Sequence, residues 1–197
     1  VGDREIYRWV NRTLEETGMD YRVLPGNHDD PEMVSEVFGS RAGELSGEAR
    51  RTHRLFQAAG EQLLLFDVPG GEVTEEDLYW LSKALRESRA EELLLFMHYP
   101  PVPLPITHME QNYALAGRDE VSRLLAETER RVYLFCGHYH NELTQEREGY
   151  SVFLTPSTYF QIDPLEEEFA VEHHLPGWRF IDRFDGRITT GVRYRGL

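Results

Sequence analysis

The sequence predicts an α/β layered domain, and three observations carry that expectation. Apolar runs of strand length alternate with stretches whose apolar residues recur at helical spacing. Three of those runs close on a ligand-type side chain, Asn27, His98 or His138. After His140 the helical spacing gives way to short apolar segments separated by turns, as expected of a second, antiparallel sheet packed on the first.

Arg4 to Thr17 carries Ile6, Val10 and Leu14 at helical spacing, with Asp3 placed to cap the helix and Gly18 to stop it. The run Tyr21 to Pro25 reads as an interior strand. Asp30-Pro31 then supplies the cap and first residue of a short helix to Phe38, and small polar residues make Gly39 to Gly47 a loop. Leu55 to Ala58 and Gln62 to Val68 predict two strands around the turn Ala59-Gly60-Glu61, and Pro69-Gly70-Gly71 closes the second. Thr74-Glu75-Glu76-Asp77 is a capping box ahead of the stripe Leu78, Leu81 and Leu85. A strand from Glu92 to Met97, a proline-rich loop from Tyr99 to Gly117, a helix from Asp119 to Thr128 and a strand from Val132 to Cys136 continue the alternation. The segments expected to be antiparallel are Ser151 to Leu154, Phe169 to Val171, Trp178 to Ile181 and Ile188 to Val192.

With 197 residues, 40% hydrophobic and 12% aromatic, residues 1–197 suit one globular domain with a sizeable core. The net charge of −14, from 21 basic and 35 acidic residues, disfavours a broad nucleic-acid or anionic-membrane surface. A phosphate substrate then needs local positive charge, which bound metal ions supply. Cys136 is the single cysteine, so no intrachain disulfide forms and the cytoplasm is the expected compartment. Its place in an apolar run points to a buried structural thiol. No apolar stretch approaches the roughly 20 residues of a membrane helix. The sequence starts at Val1 with no initiator Met and no signal-peptide pattern, and an incomplete N-terminus is expected.

A buried strand holds an unpaired imidazole only at high cost, whereas the end of a strand can project one into a cleft from a fixed position. Imidazole suits transition metals, and a carboxamide oxygen adds a harder ligand without charge. Asn27, His98 and His138 are therefore expected to share one ion and His140 to reach a second, since alternate residues of an extended segment diverge. Two ions under about 4 Å apart, bridged by hydroxide, clamp a phosphoryl group and supply its nucleophile. His28 could then give a proton to the leaving oxygen, with Asp29 holding its ring. Each piece alone has a plainer reading: Asn-His-Asp-Asp as a turn and helix cap, His-x-His as a surface pair on a strand. Their occurrence together, after three separate apolar runs, favours the metal site.

Gly26-Asn27-His28-Asp29, the isolated His98 and Gly137-His138-Tyr139-His140 resemble, in order, the signature blocks of the calcineurin-like metallophosphoesterase superfamily. Asn27 stands 71 residues before His98 and His98 stands 40 before His138, spacings similar to those of its class III bacterial 3′,5′-cyclic-nucleotide phosphodiesterases. Leu24-Pro25, Thr155-Pro156-Ser157-Thr158 with Gln161, and Pro176-Gly177-Trp178-Arg179 extend the likeness over nearly the whole chain. The resemblance implies a four-layer α/β/β/α sandwich and two divalent transition metal ions (Mn, Fe or Zn). It implies Asn27, His98 and His138 on one ion and His140 on the other, with His28 and Asp29 serving the transition state or leaving group. It also implies hydrolysis of cyclic nucleotides, cyclic AMP foremost, to 5′-nucleotides. The expected partners are a small phosphodiester and a second copy of the chain in a homodimer, with neither nucleic acid nor membrane.

The family pattern opens with an Asp-x-His block and a Gly-Asp block, and no Asp-x-His precedes Asn27. Asp3 reads as a helix cap in preference to the bridging carboxylate. On that reading the first strand and helix are missing, His140 lacks co-ligands and the second metal site is incomplete. The alternatives are a catalytically impaired relative that only binds ligands, or a phosphodiesterase for glycerophosphodiesters or 2′,3′-cyclic nucleotides. Outside the blocks, His108 reads as an exposed loop residue beside the cleft, although contact with substrate is open to it. Tyr99 stands where relatives often carry a second His. His53, His173 and His174 read as surface or strand packing, and Ser157 and Thr158 as a turn or a phosphate contact.

Overall fold

Leu93, Leu94 and Leu95 leave a strand no polar face, so such a run is stable only between two covered surfaces. In the computed structural model, which describes residues 2–43, 45–47, 50–58 and 60–196, strand β3 (Glu92–Met97) lies at the middle of a six-stranded sheet. The order is β1-β2-β3-β4-β6-β5. Strands β1 (Arg54–Ala58) and β2 (Glu61–Phe66) form an antiparallel edge pair, while β2, β3, β4 (Arg131–Cys136) and β6 (Tyr150–Leu154) run parallel. Strand β5 (Leu143–Glu146) closes the other edge, antiparallel to β6.

Alternation along the strands divides the sheet's two faces. Leu93, Leu95, Leu134 and Val152 pack under helices α3 (Glu75–Glu87) and α5 (Arg118–Glu127), against Leu81, Leu85, Val121 and Leu125. Leu94, Phe135 and Phe153 face the other way and pack against Ile181 and Ile188 of the hairpin β9 (Gly177–Phe184) and β10 (Arg187–Tyr194). Arg183 fastens that hairpin to Glu61 and Glu92 at the sheet's end. Helices α1 (Arg4–Glu16) and α2 (Pro31–Phe38) pack on each other through Tyr7, Val34 and Phe38, which with Ala42 form a separate small core. The mixed central sheet with helices on one face bears out the α/β expectation. Asp3 accepts from Glu5 N and Ile6 N and so caps α1.

Four expectations are corrected. Tyr21 to Pro25 is not a strand: Val23 donates to the Arg41 carbonyl at 3.0 Å, and the run joins no sheet among the described residues. An apolar run specifies burial, and a strand needs a neighbouring backbone as well. The proline-rich loop contains helix α4 (Thr107–Asn112), six residues with no side-chain cap to announce it. Strand β6 pairs antiparallel with β5 as expected but belongs to the central sheet, parallel to β4, because the chain turns back through edge strand β5 before re-entering it. The segment expected at Phe169 to Val171 becomes β8 (Val171–His173), paired with the two-residue β7 (Gln161–Ile162). Residues Gly39–Arg41 form one 3-10 turn in the expected loop, in which Glu44 lies outside the described residues, as does Ala59 of the predicted hairpin turn.

Candidate metal centre

Strands β3 and β4 are parallel neighbours with Met97 opposite Cys136, so the residues that follow each of them emerge at the same end of the sheet. The backbone N–H groups of Gly137 and His138 both donate to the His98 carbonyl, at 3.1 and 3.0 Å, and lock the two exits together. The His98 and His138 rings stand 4.8 Å apart. Asn27 comes from the Gly26–Asp29 turn, in which Asp29 N donates to Gly26 O (3.1 Å) and Gly26 N to Asp29 Oδ2 (2.8 Å). Tyr7 of α1 donates its hydroxyl to Asp29 Oδ1 at 2.8 Å, and Asp30 caps α2. Asp29 thus braces the turn that presents Asn27 and His28.

Asn27 Oδ1 lies 2.8 Å from His98 Nε2, which lies 3.1 Å from His138 Nδ1. His138 donates its Nε2–H to the Tyr113 carbonyl (3.2 Å), which leaves a lone pair on Nδ1. Asn27 Oδ1 only accepts, and His98 Nε2 carries at most one proton. Three electron-rich atoms therefore share a single hydrogen at most, an arrangement a cation completes. Adjacent ligands at about 2.1 Å from an octahedral ion stand roughly 3 Å apart, the separation found here. The carbonyl partner of His138 is also the usual outer support of a metal-bound imidazole.

Burial, and then the charges of His138, His140 and His28, push the His98 imidazole down to about 3. Burial, opposed by the Tyr113 carbonyl and aided by His140 and His28, pushes His138 down to about 4. Both rings are neutral at pH 7, the form that ligates metal. His140 is also lowered by burial, and its ring bonds the Phe160 backbone. It sits at φ 51°, in the left-handed region, as the last residue of a turn in which His140 N donates to Gly137 O at 3.1 Å. Its Nδ1 is buried and without a hydrogen-bond partner, the vacant lone pair expected of a ligand. Among the described residues no group of three or more His, Cys, Asp or Glu could hold an ion. The residues thus fit one ion on Asn27, His98 and His138, and leave the surroundings of His140 unfinished.

The turn carrying the two histidines is fixed from below. Tyr139 is fully buried and donates to Glu110 Oε1 at 2.8 Å, while Glu110 also accepts from Leu104 N and pairs with Arg118 at 2.7 Å. Tyr99 is buried with its ring 4.1 Å from that of His138, a packing contact for the pair. His108 is corrected: it lies on α4, buried, with Nδ1 donating to the Glu167 carbonyl at 3.0 Å. Cys136 is buried as expected, and desolvation pushes its thiol upward. Gln161 accepts from Ser157 N, so that segment is a locally bonded turn. Sequence reasoning missed Phe160 and Phe169, whose rings meet at 5.9 Å beside His140 and His108. Nothing in their spacing marked them.

The family model described as calcineurin-like phosphoesterase matches residues 1–142. The chain is 28% identical over 190 residues to a probable cyclic nucleotide phosphodiesterase of Fibrobacter succinogenes, covering 96% of this chain and 73% of that protein. It is 35% identical over 176 residues to the 3′,5′-cyclic adenosine monophosphate phosphodiesterase CpdA of Escherichia coli K12, covering 86% and 61%. It is 30% identical over 148 residues to a probable glycerophosphodiester phosphodiesterase GpdQ of Arcobacter nitrofigilis, covering 73% and 54%. The chain thus spans less than two thirds of the second and third of these relatives.

Proposed function

The chain belongs to the calcineurin-like phosphoesterase family, and from that premise we propose that it is a metal-dependent phosphodiesterase that opens 3′,5′-cyclic nucleotides, cyclic AMP foremost, to 5′-nucleotides. The observation that carries this reading is the convergence of Asn27 Oδ1, His98 Nε2 and His138 Nδ1 at spacings of 2.8 and 3.1 Å. The cyclic-nucleotide phosphodiesterase names of the relatives in Fibrobacter and Escherichia support the choice of substrate. No helix among the described residues is long and apolar enough to cross a membrane. The lone buried thiol supports a cytoplasmic site of action.

Asn27, His98 and His138 would hold an Mn, Fe or Zn ion, with His140 turned to a second. Such ions supply Lewis-acid stabilisation of the phosphoryl charge and an activated water. The chain's own residues do the rest. His28, exposed next to Asn27 and lining the same cavity as His138 and His140, protonates the 3′-oxygen as its bond to phosphorus breaks. Asp29, held by Tyr7 and Gly26, keeps His28 over that bond by fixing the turn. Neutral His98 and His138 leave the ion's charge undiminished.

The test is hydrolysis by the metal-stripped protein after reloading with Mn²⁺. Cyclic AMP should yield 5′-AMP, and His98→Ala and His138→Ala should each lose at least about 100-fold in kcat/KM. His28→Ala should lose about 100-fold on cyclic AMP and far less on a p-nitrophenyl diester, whose leaving group needs no proton. Absence of turnover of any diester by the loaded wild-type protein would overturn the reading. The competing reading, a catalytically impaired relative, draws on the unfinished surroundings of His140. It predicts nucleotide binding without metal that survives His138→Ala.

A further inference from the structure

A cavity of about 300 Å³ is lined by Asn27 and His138, two of the three converging donors. Its floor is polar and belongs to the centre already described: Asn27, His28, His138 and His140. Its walls are of another kind and come from two distant segments. Helix α4 and the residue after it contribute His108 and Tyr113, and the chain on either side of β7 contributes Phe160 and Phe169. Phe160 and Phe169 stand at 89° with centroids 5.9 Å apart, and the His108 ring meets Phe169 at 65° and 5.9 Å. Two rings at right angles form a corner in which one further flat ring can lie stacked on the first and edge-on to the second, the two arrangements aromatic quadrupoles favour.

The corner is built, not incidental. His108 is buried and anchored to the Glu167 carbonyl, Asn112 Nδ2 donates to the His108 carbonyl at 2.8 Å, and the Phe160 backbone is bonded by the His140 ring. Yet Phe169 remains 55% exposed and Tyr113 51%. The polar groups around the corner select further. His108 Nδ1 is engaged by the Glu167 carbonyl, and Glu168 on the rim is a carboxylate, an acceptor. A second phosphate would be repelled there, whereas a neutral ring bearing an amino group would find partners.

We propose that the corner formed by Phe160, Phe169 and His108 is the nucleobase subsite of this centre, holding an amino-bearing base such as adenine while the phosphate faces the ion that Asn27, His98 and His138 would hold. The proposal rests on the phosphodiesterase reading and deepens it, since a glycerol or ethanolamine headgroup has no flat ring to lay on these walls. Phe169 and Phe160 act as binding residues that place the cyclic phosphate, and Glu168 receives the exocyclic amino group.

Binding by the Mn²⁺-loaded protein tests this without reference to turnover. Calorimetry should give 5′-AMP at least about tenfold tighter than ribose 5-phosphate or monobutyl phosphate, because base–aromatic stacking is worth about that factor or more. Phe169→Ala, a change at a largely exposed side chain, should remove most of that advantage while leaving the affinity for ribose 5-phosphate within about twofold. Phe169→Trp should retain it. Equal affinity for 5′-AMP and ribose 5-phosphate, a Phe169→Ala effect of the same size on both, or monobutyl phosphate binding as tightly as 5′-AMP would each overturn the subsite. If the subsite holds and no diester is cleaved, the hydrolytic reading alone fails. If cyclic AMP is cleaved and the base adds no affinity, the subsite alone fails.

Discussion

At the scale of single residues, Asn27, His98 and His138 meet across separations of 71 and 40 positions. His98 directly follows strand β3 and His138 nearly follows β4, whereas Asn27 follows an apolar run that joins no sheet among the described residues and is held by the Gly26–Asp29 turn. His108 was misjudged because a proline-rich loop hid a six-residue helix, and burial there depends on Glu167, 59 positions away. Gly26 is instructive because it carries no donor at all. A Cβ built on it would lie 2.9 Å from His98 Cε1 and 3.1 Å from Nδ1, too close for the ring to stay in place. Its backbone is not in the left-handed region, so Gly26→Ala would act by displacement alone. We predict that Gly26→Ala weakens Mn²⁺ binding by at least about tenfold, as supports of metal ligands do, with little change in thermal stability of the metal-free protein. A chelator-dye competition titration reads this directly, and unchanged affinity would mean that His98 is not a ligand.

Among the elements, those with caps and periodic stripes were readable: α1 behind Asp3, α2 behind Asp30-Pro31 and α3 behind its capping box all start where their side-chain chemistry places them. Pairing was not readable, because nothing local tells β6 to lie parallel to β4 or denies Tyr21 to Pro25 a partner. The start of α3 also holds a buried ionic junction. Asp77, fully buried, accepts from Thr74 N and Oγ1 (2.8 Å each), from His53 Nε2 (2.9 Å) and from Arg51 Nε (3.2 Å). His53 takes the Asp67 N–H on Nδ1, which fixes it as the neutral Nε2–H tautomer, and it stacks on Phe66 at 4.8 Å. Burial alone would raise the Asp77 carboxyl, but the donors of His53, Thr74 and Arg51 outweigh it and hold it well below the ordinary range. A depressed carboxyl stabilises the fold above the unfolded value of about 4 and loses that contribution as pH falls. Asp67, raised by burial, has the opposite sign and offsets part of it. Asp77→Asn should cost about 3 kcal/mol near pH 7, read from urea midpoints, and should flatten the loss of stability on acidification below about pH 4.

For the whole molecule, the excess of acidic residues, 35 against 21 basic, places a net charge of −14 around a centre whose own imidazoles are neutral. A divalent ion would then be attracted from a distance as well as ligated on arrival. Ions that bind only the folded chain stabilise it by about 2.7 kcal/mol at 100 times Kd, and a domain of this size gains roughly 2–4 °C per kcal/mol. Saturating Mn²⁺ should therefore raise Tm by about 5–10 °C, and His138→Ala should abolish the rise in a scanning calorimeter. An equal rise in both proteins would place the ion elsewhere. Tyr113 adds a final consequence. Its carbonyl steadies His138 while its ring leans on His108 at 5.6 Å, so one residue is a strut common to the cation and to whatever occupies the aromatic corner. Thermodynamic reciprocity then makes the two occupants allies: the factor by which a seated cation lowers the nucleotide's Kd is the factor by which the nucleotide lowers the cation's.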